Sequence, residues 1–316
     1  MKRLALYLPA LAVASCSIPV LSSSPDAPPG LSFEGREGRI AVLQDGELFT
    51  EYRYEGLAKP CLYPLYAPGG VPVTRGWPIE EREGEEHDHP HHLSLWVAHG
   101  AVNGHDFWTG ENTEIQNAES IVCSSGRDCA TLFSRNKWIA GEDLVLVETR
   151  SMKFTIESDL HILDFDITLS PADGPVTFGD TKEGTFGLRM HPALRLRGES
   201  AQGSALNSEG VEGKDVWGKR ARWIAYGGPV EGEEVTIALL DHPKNPRHPT
   251  WWHARDYGLV AANPFGIHDF ERKPAGTGDL TVASSDKLRL RYRVLLMEGA
   301  IDADDIDDAW EEYADG

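Results

Sequence analysis

The chain is 316 residues long and carries 50 acidic against 30 basic side chains, a formal net charge of −20. Its 41% hydrophobic and 25% charged residues are those of a soluble globular protein. So acidic a surface repels nucleic-acid phosphates and anionic lipid, which excludes both as partners of the body, while the length accommodates one large all-β domain or two ordinary ones.

In chain order, residues 1–15 read MKRLALYLPALAVAS: Lys2 and Arg3, then an apolar run over 4–13 too short to span a bilayer. Val13-Ala14-Ser15-Cys16 is similar to a bacterial lipobox, in which the leader is cut before a cysteine that becomes lipidated. Residues 1–15 are therefore expected as a lipoprotein signal peptide, Cys16 as the lipidation site and 16–30, rich in Ser and Pro, as a tether. The expected location is exported and membrane-anchored, facing the periplasm or cell surface, with the lipid as the sole membrane contact. An oxidising compartment permits disulfides. Cys123 and Cys129 flank the turn-prone SSGRD, so a local bridge is open to them, and Cys61 is left as a lone thiol.

From residue 31 the pattern is β. Two strand-prone runs in RIAVLQDGELFTEYRY (39–54) flank Asp45-Gly46, a strong hairpin signal. Further β-rich runs fall at 144–156, 160–170, 235–241, 258–265, 280–284 and 288–298. In the last, Arg289, Arg291 and Arg293 alternate with Leu290, Tyr292 and Val294, so the arginines share a face. Only DADDIDDAWEEYA (302–314) has helical spacing, with Ile306, Trp310 and Tyr313 on one side and Asp302, Asp304 and Asp305 at the N-terminal, anion-favouring end. The predicted architecture is all-β: a single large antiparallel β-sandwich over 31–316, closed by a C-terminal helix at 302–314. The polar loops between strands are expected to project from one edge and carry the site.

Five of the twelve histidines lie between His87 and His99, in EEHDHPHHLSLWVAHGAVNGHDFW (85–108). Pro90 excludes a helix. In an extended stretch His89 and His91 point to one side and His92 to the other, a spacing that can offer two imidazoles to one metal. Trp96, Asn103, Asp106 and Trp108 add flat apolar rings and polar groups, the mixed surface that a pyranose needs. DHPKNPRHPTWWHARDYGL (241–259) repeats this chemistry with Asn245, Arg247, His248, Trp252, His253 and Arg255, followed by Asn263. A third stretch, GDTKEGTFGLRMHPALRLRG (179–198), places Glu183 in a glycine-flanked turn and sets Arg189 and His191 two apart on one strand face. A carboxylate beside a histidine and an arginine suffices for proton transfer with charge stabilisation. The chain has no GxSxG, P-loop or strand-borne GxGxxG, so serine hydrolysis and nucleotide use are not indicated.

Set side by side, 88–108, 179–192 and 241–266 resemble segments of a bacterial family of exported proteins labelled PmoA-like, over about 31–300. The β-rich length is in turn similar to the galactose-mutarotase-like supersandwich. That resemblance implies a sugar-binding cleft worked by His and Glu or Asp, as in sugar epimerases, glycosidases and polysaccharide lyases.

The leading expectation is a carbohydrate-active protein whose ligand is a small sugar or an oligosaccharide. His92 or His248 is the acid/base, Glu183 the partner carboxylate with His191 beside it, and Arg189 and Arg247 the charge stabilisers. Trp96, Asn103, Asp106, Trp108, Asn245, Trp252 and Asn263 contact the ligand. No cofactor is expected. The alternatives are a divalent-metal hydrolase or oxygenase with His89, His91 and His253 as ligands, and a non-catalytic sugar-binding lipoprotein.

Overall fold

The computed structural model describes residues 30–316; the signal peptide, Cys16 and the tether as far as residue 29 lie outside them. Nineteen strands follow one another. They are β1 (Leu31–Arg36), β2 (Arg39–Gln44), β3 (Glu47–Arg53), β4 (Cys61–Ala67), β5 (Val71–Pro72), β6 (Leu95–His99), β7 (Thr113–Ser124), β8 (Cys129–Ala140), β9 (Asp143–Ile156) and β10 (Leu160–Pro171). Then come β11 (Val176–Phe178), β12 (Gly184–Arg189), β13 (Ser204–Asn207), β14 (Trp223–Val230), β15 (Glu233–Asp241), β16 (Trp251–Trp252), β17 (Leu259–Asn263), β18 (Leu280–Val282) and β19 (Leu288–Glu298). One sheet runs β1-β2-β3-β4-β6-β12-β17-β16 with β5 on β4; the other runs β13-β14-β15-β19-β10-β9-β8-β7; β11 and β18 pair apart. Every pairing is antiparallel.

The expected hairpin at Asp45-Gly46 is present, and so are the strands expected from 144 to 298. β10 shows why the sandwich closes. Leu163, Phe165, Ile167 and Leu169 are buried on its inner face, while Asp164 and Asp166 face outward beside the β19 arginines. Arg293 Nε donates to Asp164 at 2.7 Å and Arg289 Nε to Asp166 at 2.7 Å, so the shared arginine face is matched by a carboxylate row. Across the core Phe186 of β12 stacks on Tyr292 of β19 at 4.7 Å and meets Phe165 of β10 edge-on at 4.9 Å. Each such ring withdrawn from water contributes about 1.5–3 kcal/mol.

Helix α1 (Ile267–Glu271) is a single short turn without apolar periodicity, which is why the sequence reading has no helix there. Helix α2 (Ala303–Asp315) matches the expected one. Asp302 caps it by accepting from the backbone N–H of Asp304 and Asp305, and Ile306 and Tyr313 bury against Trp223, Leu240 and Leu295 on the outer face of the second sheet. Cys123 and Cys129 lie exposed on the β7–β8 hairpin as free thiols, so the local bridge left open by their spacing is not formed, and Cys61 is buried. Among the described residues no helix is long and apolar enough to cross a membrane.

The expected projecting loops are a correction. Leu95–His99 is a central strand, β6, hydrogen-bonded between β4 and β12 and buried along its whole length. His92, His99, His253, Trp96, Trp108 and Trp252 are all buried. Leu93, Leu95, Val97 and the tryptophans drive these segments inward, and the polar groups between them follow.

Candidate functional site

The stretch 87–92 is a turn, not the extended run its HxH spacing suggests. His89 adopts a left-handed φ of 44°, and the N–H of His92 donates to the carbonyl of His89 at 3.0 Å. A non-glycine residue in that region is strained unless its side chain is held. Here the His89 Nδ1–H donates to Asp88 at 2.6 Å and its ring packs against two others. His89 therefore does not share a side with His91 opposite His92: it stacks on His92 at 4.8 Å and 8° and on Tyr257 at 4.8 Å and 14°. His92 continues the stack onto Trp96 at 5.3 Å.

Asp88 organises the floor. Arg189 of β12 donates to both its oxygens at 2.9 and 3.1 Å, and Arg75 bonds it as well. Arg189 also donates to His92 Nδ1 at 3.2 Å; a guanidinium only donates, so His92 is a neutral imidazole protonated on Nε2. Burial holds His92 well below its ordinary range, with the charges of its neighbours adding to the effect. The two sides of the Asp88–Arg189 pair move in senses that do not match a simple ion pair. Asp88 is held at about 2, the arginines and His89 outweighing burial. Arg189 falls to about 10, first through burial and then through Arg75 beside it. The direction at Asp88 is the sound one, since an arginine stays charged in a protein at any ordinary pH. Arg189 reports something else: two buried guanidiniums share one carboxylate.

Beside the floor stands a second group. His91 is partly exposed and held at about 4 by burial, then by Lys59 and His89, with Glu183 opposing. Lys59 is wholly buried, donates to the carbonyl of Trp108 at 2.6 Å and is pulled to about 7 by burial. Glu183 pairs with Lys182 at 2.6 Å, and its Oε2 is 3.9 Å from His253 Nδ1, too far for a hydrogen bond. His253 is buried, held at about 3 by burial and then by Arg255 and Lys182, and its Nδ1 has no partner among the described residues. Trp96 Nε1, Trp108 Nε1 and Arg189 Nε are likewise buried without a partner. Gly187 makes room for the two indoles: a Cβ there would stand 2.8 Å from Trp96 and 3.0 Å from Trp108. Four unsatisfied buried polar atoms round one set of residues are unusual, because each orphan costs about 1–3 kcal/mol.

A cleft of about 350 Å³ opens at the Asp88, His89 and Tyr257 edge of these residues, and Glu86, Arg195, Arg197 and Gly198 complete its lining. A groove of about 570 Å³ between β3, β4 and β10 is larger, but it holds His161 as its sole histidine and none of the grouped residues. Chemistry therefore places the candidate site in the smaller cleft.

Thus His89, His91, His92, Glu183, Arg189, His253, Trp96 and Trp108 come together. The others do not join them. Asn103 caps the N–H of Thr177, Asp106 accepts from the N–H groups of Trp108 and Thr109, and Asn263 accepts from those of Phe265 and Gly266. Trp252 donates to the carbonyl of Ala221. His191 does not share a strand face with Arg189: β12 ends at Arg189, and His191 caps the 3-10 turn Pro192–Leu194 by accepting from the N–H of Ala193. Arg247 donates to the carbonyls of Pro264, Gly278 and Asp279. His248 Nδ1 donates to the buried Asp241 at 2.7 Å, which also accepts from Asn245 at 2.7 Å, and His248 stacks on Trp310 of α2. Five members of the site lay outside the sequence reading. Asp88, Arg195 and Tyr257 sit inside the quoted segments and were there to be found, whereas Arg75 and Lys59 have no local signal.

As a metal centre the donors do not fit. Among the described residues no three His, Cys, Asp or Glu side chains gather to hold one ion. The Nδ1 atoms of His89 and His92 are engaged by Asp88 and Arg189.

Residues 39–311 match the model of a family described as a family of unknown function (DUF6807); that description, not the PmoA-like label, is the one the match carries. No curated protein matches the chain. Among solved structures it is similar to a galactose mutarotase-like protein from Lactobacillus casei, at 9% identity over 84% of this chain and 100% of that one, TM-score 0.39. It is similar also to a GalM/aldose epimerase homologue from C. elegans, at 8% over 86% and 100%, TM-score 0.36. A third is a GH36 alpha-galactosidase from Geobacillus stearothermophilus, at 10% over 85% of this chain and 40% of that one, TM-score 0.39.

Proposed function

The chain belongs to the DUF6807 family, whose function is unknown, and we propose that its site binds a sugar and moves a proton on it. The observation that carries this reading is the convergence of neutral His91, the Glu183 carboxylate and the parallel rings of Tyr257 and His89, with the field of Glu183 felt at both His91 and Tyr257. A ring stack offers the flat apolar surface on which the C–H face of a pyranose rests. A neutral imidazole is a base that takes a proton from the sugar and, as the imidazolium so formed, returns it. The Glu183 carboxylate steadies that cation, and Arg189 at the floor steadies negative charge developing on an oxygen. His91 takes the role the sequence reading gave to His92, because His92 is buried and already accepts from Arg189. Epimerase, lyase and glycosidase chemistry all use this equipment.

Saturation-transfer NMR against a panel of mono- and oligosaccharides, followed by proton exchange or bond cleavage in deuterated water, tests the reading. Turnover falling 10²- to 10⁴-fold in His91→Gln and Glu183→Gln, with binding kept, is the expected outcome. Absence of binding to any sugar at millimolar concentration sinks it. Binding without turnover in the unmodified protein favours the non-catalytic sugar-binding alternative. The exported, lipid-anchored location is proposed from residues 1–16 alone, and mass spectrometry of the mature N-terminus for a lipidated Cys16 decides it.

A further inference from the structure

In a chain of net charge −20, the cleft is where buried positive charge collects. Arg75 and Arg189, whose side chains are 2% and 1% exposed, share the single carboxylate of Asp88. Arg195, 7% exposed, has Glu86 as its ion-pair partner, but Glu86 is 57% exposed and its charge is largely met by water. Arg197 stands at the mouth, 64% exposed, against Asp256. Three buried guanidiniums thus share the Asp88 carboxylate and the exposed Glu86, with Glu85 felt more weakly at Arg75, and Arg189 Nε has no acceptor among the described residues. A buried charge without a counter-charge is expensive, several kcal/mol in the interior, and folds keep such an excess where something else neutralises it. The same cleft is lined by the stacked rings of His89 and Tyr257, with Arg189 lying 4.7 Å over the latter.

We propose that the ligand of this cleft is an acidic sugar, whose carboxylate, sulfate or phosphate group meets Arg195 and Arg197 and supplies the negative charge the buried arginines lack, while its ring lies on Tyr257 and His89. The inference rests on the sugar reading above and narrows its substrate class. Guanidinium forks match planar and tetrahedral oxyanions by paired hydrogen bonds, and the stack reads the pyranose ring to which the anion is attached. Glu86 is then the group the ligand displaces from Arg195.

Calorimetric titration of the protein with glucuronate, galacturonate, glucose 6-sulfate and glucose 6-phosphate, set against glucose, galactose and free sulfate, tests this. At least one acidic sugar binds roughly tenfold or more tighter than its neutral counterpart and than free sulfate, and that advantage shrinks as salt is raised. Which acidic arm wins tells a carboxylated from a sulfated or phosphorylated sugar. Glu86→Gln, a change at an exposed position, raises affinity for that acidic sugar, and Arg195→Gln erases most of the preference. Equal binding of acidic and neutral sugars overturns the inference and leaves the sugar reading standing. Free sulfate binding as tightly as the acidic sugars overturns it as a bare anion site. Binding of no sugar overturns the sugar reading and this inference with it.

Discussion

The two histidine-rich segments, 85–108 and 241–259, look alike as strings and have opposite fates. In the first, a left-handed turn at His89 and the inward strand β6 gather His89, His91 and His92 round Asp88, with burial keeping His91 and His92 uncharged. In the second, the chain leaves β15 at Asp241 and divides. His248 is tied to Asp241 beneath Trp310, Arg247 is spent on three carbonyls, and His253 alone crosses to Glu183 at the first site. A carboxylate in the first segment holds arginines that face a cleft; a carboxylate in the second holds a loop under a helix. Histidine density marks a place where polar groups are buried, and the neighbours of the carboxylate decide what that burial is for.

The sharpest contrast is between the two aspartates. Asp88→Asn leaves Arg75 and Arg189 buried without their counter-charge and is expected to lower stability by about 3–5 kcal/mol in a urea titration and to abolish ligand binding. Asp241→Asn is expected to cost about 1–2 kcal/mol, since burial already pushes that carboxyl up and the amide oxygen still accepts from Thr250 or His248. Equal losses at the two positions would erase the distinction between floor and loop anchor.

A pH series sharpens it next. Burial holds His99 at about 4 and His253 at about 3, both below the ordinary 6.5. The unfolded chain therefore takes up protons first as pH falls. The stability these groups carry is complete above pH 6.5 and drains away toward their folded values, by about 1.4 kcal/mol per histidine for each pH unit. Melting temperature should drop steeply between pH 6 and 4, where a flat profile would mean charged imidazoles. It should climb again above pH 7, because the buried Lys59 at about 7 gives up its proton before the unfolded lysine at its ordinary 10.5 does. Asp88 adds a separate loss only below its ordinary 3.8, as pH falls toward its folded value of about 2, worth about 2 kcal/mol in all.

Smaller still is the effect expected outside both segments. Cys123→Ser and Cys129→Ser should each stay within about 0.5 kcal/mol of the parent, and both thiols should react fast with a thiol reagent while Cys61 does not. A slow pair would place a bridge on the β7–β8 hairpin.

Much of the architecture was legible because it rests on local rules. Strand alternation in 288–298, the Asp45-Gly46 turn and the Ile306, Trp310, Tyr313 spacing of α2 are such rules, whereas 160–170 reads only as a β-rich run and its buried face of Leu163, Phe165, Ile167 and Leu169 came from the structure. The gathering of His91, Glu183, Arg189 and His253 was partly legible as composition, and their roles were not. Asn103, Asp106 and Asn263 have the same residue types as ligand-binding groups, yet Asp106 and Asn263 close local backbone turns and Asn103 ties its loop to the N–H of the distant Thr177.

By itself the sequence determined an all-β chain closed by a helix and marked two polar, aromatic, histidine-rich segments along it, since hydrophobic period and turn chemistry act over a few neighbouring residues. Only the tertiary structure decided that Asp88, Arg195 and Tyr257, from three segments, line one cleft with Arg75 and Arg189 bonded to Asp88 behind it, while Asp241 and His248 turn away from it. Burial, charge balance and the sharing of one carboxylate by two guanidiniums are properties of groups brought together by folding, and no spacing along the chain encodes them.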